Sequence, residues 1–288
     1  MYGPQKLPDT PAGRAFHSHI DHLDLYEAAH LRELERWLDE NGIPVLSEAG
    51  FLASFAYISG GRTTKTSAYV LEERGIQTLA RAAQQAGSGG LPDIGSHVER
   101  HDHRKGNNPW RTDDALESLP SLHVNGTPIS SFIDLMRELE RYRVQREQIE
   151  SIEMARTQTF DAAMDTIQSS IASFGSLTAF DWLEFVVRLH GQEWLCPTTL
   201  KPKYIHTGDG PYEGLERLFG DEADEATDTC VERLERYGRD HREMSNTELI
   251  FGLESALCMF SPSHLSEKDF KDLAEGGETK HNSPSHHC

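Results

Sequence analysis

The chain has 288 residues, of which 47 are acidic and 28 are basic, and its formal net charge is −19. This length suffices for one large domain or two modest ones, and no apolar run reaches the roughly 18–20 residues of a membrane span. The acid excess is typical of salt-adapted organisms, such as halophilic archaea and their viruses, and there it does not exclude DNA as a partner. Because the first twenty residues lack an apolar core, we expect no secretory signal and a cytoplasmic protein without a membrane partner.

Helices are predicted along the N-terminal third of the chain. Apolar residues recur at helical spacing in residues 16–41, and residues 51–59 and 71–85 also favour helices. Residues 1–86 are therefore predicted to form an N-terminal helical region. Glycine, proline and polar residues dominate residues 87–117, which are predicted to be a linker or surface excursion.

From residue 118 onward the pattern again favours helices with short interruptions. Residues 178–189 carry a strong apolar face, and Ser245 and Glu248 have the spacing of a capping box at a helix start. Pro262 ends the last long helix, and the polar residues 263–288 are predicted to be a disordered tail. We expect an all-α fold with one helical domain over residues 118–262.

The cysteines and histidines show no metal-binding pattern. The four cysteines are far apart and are predicted to be reduced thiols, and the histidines form no HExxH or comparable motif. We therefore expect neither a metal nor a cofactor.

Two glycine-bearing segments precede predicted helices. A turn at Gly175 has the character of a helix-hairpin-helix turn, whose N–H groups face a DNA phosphate, or of an ordinary helix–helix turn. Residues 206–215 contain three glycines and a proline suited to a first helical turn. This second segment is either a capped helix start or a loop that presents N–H donors to an anion, with added charge from nearby basic residues. The candidate residues for phosphate or DNA binding are Gly175, Lys201, Lys203, His206, Gly208, Gly210 and Gly214.

Glu254 is the one charged residue in the apolar segment 249–260. Such a carboxylate either faces solvent on a narrow strip or is partly buried with a raised pKa, and the buried state suits a general base or an amine-binding group. Asp181, after the Gly175 turn, is a second candidate catalytic residue. Trp182 and Tyr212 are candidate base-stacking residues, although core packing is the preferred interpretation of both.

The order and spacing of three segments, residues 173–183, 208–220 and 253–260, resemble those of the alpha-glutamyl/putrescinyl thymine pyrophosphorylase family of amino acid:DNA transferases. The resemblance covers residues 118–262, about half of the chain. Tyr212 stands where the family has a glycine, and Ser261 and Pro262 replace a charged pair, which is consistent with an outlying clade. The matching residues are Gly210, Pro211, Gly214, Leu218, Phe219, Gly220, Leu253, Glu254, Leu257, Cys258 and Phe260.

The resemblance implies an all-α fold like that of helix-hairpin-helix DNA glycosylases and a hypermodification reaction on DNA. In that reaction an amine, such as an amino acid or putrescine, displaces pyrophosphate from 5-(pyrophosphoryloxymethyl)uracil. Gly208, Gly210 and the lysines would hold the pyrophosphate, and Glu254 would take the amine proton. Two alternatives remain: a DNA glycosylase that uses Asp181, and a non-catalytic DNA-binding protein in which the Gly175 turn matters and Glu254 does not.

Overall fold

The computed structural model describes residues 7–23, 29–88, 110–206 and 208–276, and these residues are mainly helical. The chain divides into two compact units. The terminal unit comprises Met1–Ala29 and Cys196–Cys288, and the central unit comprises His30–Leu195. The prediction of an all-α fold is confirmed at this level, with one short hairpin as the exception among the described residues.

The described helices have the following bounds in chain order: α1 (Pro11–His22), α2 (Ala29–Glu40), α3 (Glu48–Ser59), α4 (Thr64–Ala68), α5 (Leu79–Gly87), α6 (Trp110–Ser118), α7 (Phe132–Glu147), α8 (Ile152–Ser170), α9 (Ser176–Arg188), α10 (Pro202–Ile205), α11 (Asp209–Phe219), α12 (Glu222–Glu225), α13 (Thr227–Arg242), α14 (Leu253–Phe260) and α15 (Glu267–Ala274). A π-helical turn, Tyr69–Glu73, extends α4, and another, Glu248–Gly252, precedes α14. Short 3-10 turns cover Leu119–Ser121 and Glu193–Leu195. Strands β1 (His123–Val124) and β2 (Thr127–Pro128) pair in an antiparallel hairpin.

The core of the central unit is built around α3. This helix is buried from Gly50 to Ser59, as expected for a helix that is apolar nearly all round. The Ser47 hydroxyl begins it by accepting a hydrogen bond from the Gly50 N–H at 3.0 Å. Trp182 of α9 packs against Phe51 and Phe55, with ring centroids 5.2 and 5.1 Å apart. The apolar face predicted for residues 178–189 is therefore the face that packs against α3.

The core of the terminal unit joins segments from both ends of the chain. α1 packs against α15, and the ring of Phe260 lies 5.1 Å from that of Phe16 and 5.9 Å from that of Phe270. The guanidinium group of Arg217 lies over the Phe270 ring at 4.3 Å and donates hydrogen bonds to the carbonyl oxygens of Phe260 and Leu265. This cation therefore links α11 to the chain that follows α14.

The two compact units do not follow the predicted domain boundaries, because contacts between distant segments bring both ends of the chain into one unit. α1, predicted to belong with residues 1–86, lies in the terminal unit, and α15 is an ordered helix inside the predicted tail. The single helix predicted over residues 16–41 is two helices, α1 and α2. Within the predicted linker, Trp110–Ser118 is helical, whereas residues 89–109 lie outside the described residues, as do tail residues 277–288.

Three smaller predictions concern caps, thiols and membrane spans. The capping box is confirmed: the Ser245 N–H donates to Glu248 Oε2 at 2.8 Å, and the Glu248 N–H donates to Ser245 Oγ at 3.3 Å. Cys196 and Cys230 are free thiols as predicted, but Cys258 takes part in a disulfide bond. Across the described ranges, no helix has the length and apolar character that crossing a bilayer requires.

Candidate functional site

The predicted site residues are divided between the two units. The central unit contains Gly175, Asp181 and Trp182. The terminal unit contains the larger group, namely Lys201, Lys203, His206, Gly208, Gly210, Tyr212, Gly214 and Glu254.

Glu254 is buried in the core of the terminal unit. It is 5% exposed, and its Oε2 atom accepts a hydrogen bond from the Ser255 hydroxyl at 3.5 Å. The π-helical turn Glu248–Gly252 ends just before α14, and such turns often occur at functional sites. The burial excludes the alternative in which Glu254 lies on a solvent-facing strip.

The face of α14 that carries Glu254 packs against α11. Residues three and four positions apart share a helix face, so Glu254 lies on the same side as Leu257 and Cys258. A Cβ atom placed on Gly214 would lie 1.9 Å from the carbonyl oxygen of Leu257, and one on Gly210 would lie 2.6 Å from Cys258 Sγ. The two glycines therefore allow α11 and α14 to approach closely.

Of the two interpretations of residues 206–215, the helix start describes Gly210 and Gly214. Both glycines lie inside α11, and Gly214 is buried. The close approach of the two helices explains the absence of a side chain at these positions without any ligand. Gly208 differs, because it stands before the first turn of α11 in an extended conformation, and among the described residues no side chain caps that turn.

The start of α11 brings several predicted residues together. The rings of His206 and Tyr212 lie 4.5 Å apart, and α10, which carries Lys203, contacts α11. Lys201 stands immediately before α10 and is half-buried. The exposed Asp209 adds a carboxylate to the first turn of α11, which opposes the binding of an anion there.

The two candidate base-stacking residues have different environments. Tyr212 is half-buried and donates a hydrogen bond to Asp224, which raises the pKa of its phenol to about 12. Trp182 is fully buried, and its ring contacts Phe51, Phe55 and Phe174. Trp182 is therefore a core residue, as its preferred interpretation has it, and its buried ring offers no exposed face to a base.

The turn at Gly175 joins α8 to α9 in a helix–turn–helix. Gly175 has a φ of −80°, which any residue adopts, whereas Ser173 has a φ of 67° in the left-handed region. A Cβ atom on Gly175 would meet no described atom within 4 Å. The space in front of this helix start is therefore open, unlike the space at Gly210 and Gly214.

Asp181 belongs to a buried ionic cluster that the sequence analysis did not predict. Arg62 Nη2 lies 2.5 Å from Asp181 Oδ2, and Glu184 binds both His30, at 3.2 Å, and Arg188, at 2.5 Å. Asp181, Glu184 and Arg188 share a face of α9 because they are three and four residues apart. That spacing was visible in the sequence, but the contribution of Arg62 and His30 from other segments was not.

The two carboxyl groups of this cluster respond differently to their surroundings. Burial raises the pKa of Asp181 despite the opposing charge of Arg62. Burial also acts on Glu184, but the hydrogen bond from His30 and the charge of Arg188 outweigh it and lower the pKa of Glu184 to about 2. Because Asp181 is fixed by Arg62, it serves as half of a structural ion pair and is poorly placed to attack a sugar.

Comparison with protein-family models, with curated proteins and with solved structures finds no match for this chain. Among the described residues, no cluster of three or more histidine, cysteine or acidic side chains is arranged to hold a metal ion.

Proposed function

We propose that this chain is a DNA-base transferase in which an amine displaces pyrophosphate from 5-(pyrophosphoryloxymethyl)uracil in DNA. One observation carries the proposal: α11 and α14, from two segments that resemble the transferase family, pack directly against each other in the terminal unit. The shared glutamate, Glu254, is buried on the face of α14 that contacts α11. Two segments that are far apart in the sequence, and that both resemble the transferase family, thus pack against each other.

In the proposed reaction Glu254 acts as the general base. The neutral amine attacks the methylene carbon on C5 of the uracil, and the new C–N bond forms as the C–O bond to pyrophosphate breaks. The departing oxygen keeps the electron pair, and the proton from the nitrogen passes to the Glu254 carboxylate. A buried carboxylate suits this role because it has few competing contacts with water.

The negative charge of the leaving pyrophosphate requires N–H donors or cations. Lys201, Lys203 and the N–H groups that follow Gly208 supply these groups at the start of α11, where they must outweigh the opposing charge of Asp209. The uracil must leave the base stack to react, and Tyr212 offers a ring beside this helix start. The helix–turn–helix at Gly175 provides backbone N–H groups for a DNA phosphate, in the manner of a helix-hairpin-helix.

The glycosylase alternative is weaker than the transferase proposal. It requires Asp181 to face a sugar, whereas Asp181 is only 6% exposed and its carboxylate is held by Arg62. A non-catalytic DNA-binding protein remains the alternative that the following experiment distinguishes.

The purified chain is incubated with an oligonucleotide that contains 5-(pyrophosphoryloxymethyl)uracil and with a panel of amines that includes amino acids and putrescine. We expect pyrophosphate release and a modified nucleoside whose mass corresponds to addition of one amine. Folded protein that binds the DNA but releases no pyrophosphate with any amine would contradict the proposal and support the non-catalytic alternative.

A matched pair of lysine variants tests the pyrophosphate contacts. Lys203→Gln should slow the release of pyrophosphate, because Lys203 lies on the helix that contacts the start of α11. Lys268→Gln removes the same charge from an exposed position on α15 and should leave the rate unchanged. Equal rates in the two variants would remove Lys203 from the site.

A further inference from the structure

A cleft with a volume of about 450 Å³ lies in the central unit between the C-terminal part of α7 and the β1–β2 turn. Its size falls within the range of small-molecule sites. None of its lining residues belongs to the candidate site described above. They are Asn125, Arg141, Tyr142, Gln145, Arg146 and Ile149.

The six lining residues themselves carry only positive charge, although a glutamate lies within 4 Å of each guanidinium group. Two guanidinium groups, two carboxamides and a phenol line the cleft, and none of its six lining residues carries a carboxylate. The chain as a whole has 47 acidic residues against 28 basic ones. Guanidinium groups around a concave surface attract anions, because the low-dielectric walls concentrate the field.

The guanidinium groups are oriented by carboxylates that lie outside hydrogen-bond distance. Arg141 Nη1 is 3.8 Å from Glu138 Oε2, and Arg146 Nη1 is 3.7 Å from Glu150 Oε1. Arg146 Nη2 donates a hydrogen bond to the Tyr142 hydroxyl at 3.0 Å, and its guanidinium group lies 5.2 Å from the centre of the Tyr142 ring. Most of the N–H donors of these two side chains are therefore not used by those contacts.

We propose that this cleft binds the phosphate group of a ligand. Planar guanidinium groups donate paired hydrogen bonds to phosphate oxygens, and the carboxamides of Asn125 and Gln145 add neutral donors. Ile149, which is 78% exposed, and Tyr142 provide apolar surface for an organic group attached to the phosphate. The phosphate belongs either to a nucleic-acid backbone or to a free phosphate compound, and the chemistry of recognition is the same.

The proposal goes beyond the proposed transferase activity and does not depend on it. The cleft lies in the central unit, whereas Glu254 and the start of α11 lie in the terminal unit. Loss of phosphate binding in the cleft and loss of amine transfer are therefore measured with different variants and different assays.

A matched pair of glutamine variants tests the cleft. Gln145→Glu adds a carboxylate to the lining, and Gln148→Glu adds the same charge three residues later at an exposed position outside the lining. Both side chains are exposed, so neither change alters the core. Binding of pyrophosphate, of succinate and of a fluorescent single-stranded oligonucleotide is measured for each protein at one fixed KCl concentration.

We expect Gln145→Glu to weaken phosphate binding by at least about fivefold through repulsion at short range, and Gln148→Glu to stay within about twofold of the original chain. A selective effect on pyrophosphate identifies a free phosphate compound as the source. A selective effect on the oligonucleotide, without pyrophosphate binding, identifies a nucleic-acid backbone. The proposal is overturned if the original chain binds neither pyrophosphate nor the oligonucleotide, if the two variants bind alike, or if succinate binds as tightly as the phosphate-bearing probe that the chain does bind.

Discussion

Glycines occur at the start of α9 and in α11, but the structure gives Gly175 and Gly214 different roles. Beside Gly175 a Cβ atom would meet open space, whereas beside Gly214 it would lie 1.9 Å from a backbone oxygen of the neighbouring helix. A glycine with open space in front of it can admit a ligand, while a glycine against a backbone atom serves helix packing. The comparison distinguishes a glycine that lies beside open space from a glycine that allows two helices to pack closely.

The two helices that follow are also held in place by different forces. α9 is anchored by the buried contacts of Asp181 with Arg62 and of Glu184 with His30, whereas α11 is anchored by its close contact with α14. A buried ion pair is strongly destabilised by loss of one partner, and a close helix contact by addition of volume. The following variants separate these two mechanisms.

Addition of volume at Gly214 should have the largest effect. Gly214→Val should destabilise the terminal unit by more than about 4 kcal/mol, because the new side chain overlaps the Leu257 carbonyl group and forces α11 away from α14. Thermal and urea unfolding at fixed KCl measure the change. A loss below about 1 kcal/mol would show that the helices separate easily and would contradict the packing role of Gly214.

Removal of the Arg62 guanidinium group should cost about 3–5 kcal/mol, because Asp181 then remains buried without that cation. Arg62→Met keeps the Cβ atom and so adds no new strain at its left-handed backbone conformation, where φ is 59°. Asp181→Asn in the same chain should restore most of the stability. If the double variant is no more stable than Arg62→Met, the ion pair is not the cause of the loss.

The low pKa of Glu184 predicts that this residue makes an acid-sensitive contribution to the stability of the central unit. Its pKa is lowered from 4.5 to about 2, so the folded state binds a proton less readily than the unfolded state. The stabilisation is present above pH 4.5 and is lost as the pH falls toward 2. The loss is on the order of 3 kcal/mol, since one pKa unit corresponds to about 1.4 kcal/mol.

The control for this pH effect is Glu184→Gln, which cannot titrate at this position. The difference in the free energy of unfolding between the original chain and the variant should shrink as the pH is lowered from 5 to 2. A difference that stays constant over this range would contradict the low pKa. Asp181 should act in the opposite sense, because its raised pKa gives stability that is lost as the pH rises.

Gly175→Ala should have the smallest effect, below about 1 kcal/mol. The new methyl group meets no described atom within 4 Å and the backbone conformation is ordinary, so the main cost is a poorer helix cap. The same unfolding experiments measure it beside Gly214→Val. A loss as large as that of Gly214→Val would contradict the difference in available space between Gly175 and Gly214.

The sequence allowed prediction of features that depend on local patterns. The helical class, the capping box at Ser245 and the buried face of α9 follow from periodicity and spacing within short segments. The division into units was not predictable, because the packing of α1 against α15 depends on contacts between the two ends of the chain. Local spacing alone also gave no way to identify the partner of Asp181, since Arg62 comes from a distant segment.

The same distinction holds for the candidate site. The sequence identified Glu254 as an isolated charge in an apolar segment but left its burial open, and the structure shows that it is buried. The packing role of Gly210 and Gly214 was not predicted, because glycine preference alone does not reveal which neighbour approaches. Trp182 was preferred as a core residue, and its complete burial supports that interpretation.

The central claim is that Glu254 is a buried carboxylate that acts as the general base, and Glu254→Gln tests it most directly. This change keeps the shape of the side chain and removes its charge, so the account predicts retained or increased thermal stability together with loss of amine transfer. Glu248→Gln, on the turn before α14, is the matched control and should keep both stability and transfer, since glutamine also completes a capping box. Full transfer activity in folded Glu254→Gln would contradict the claim.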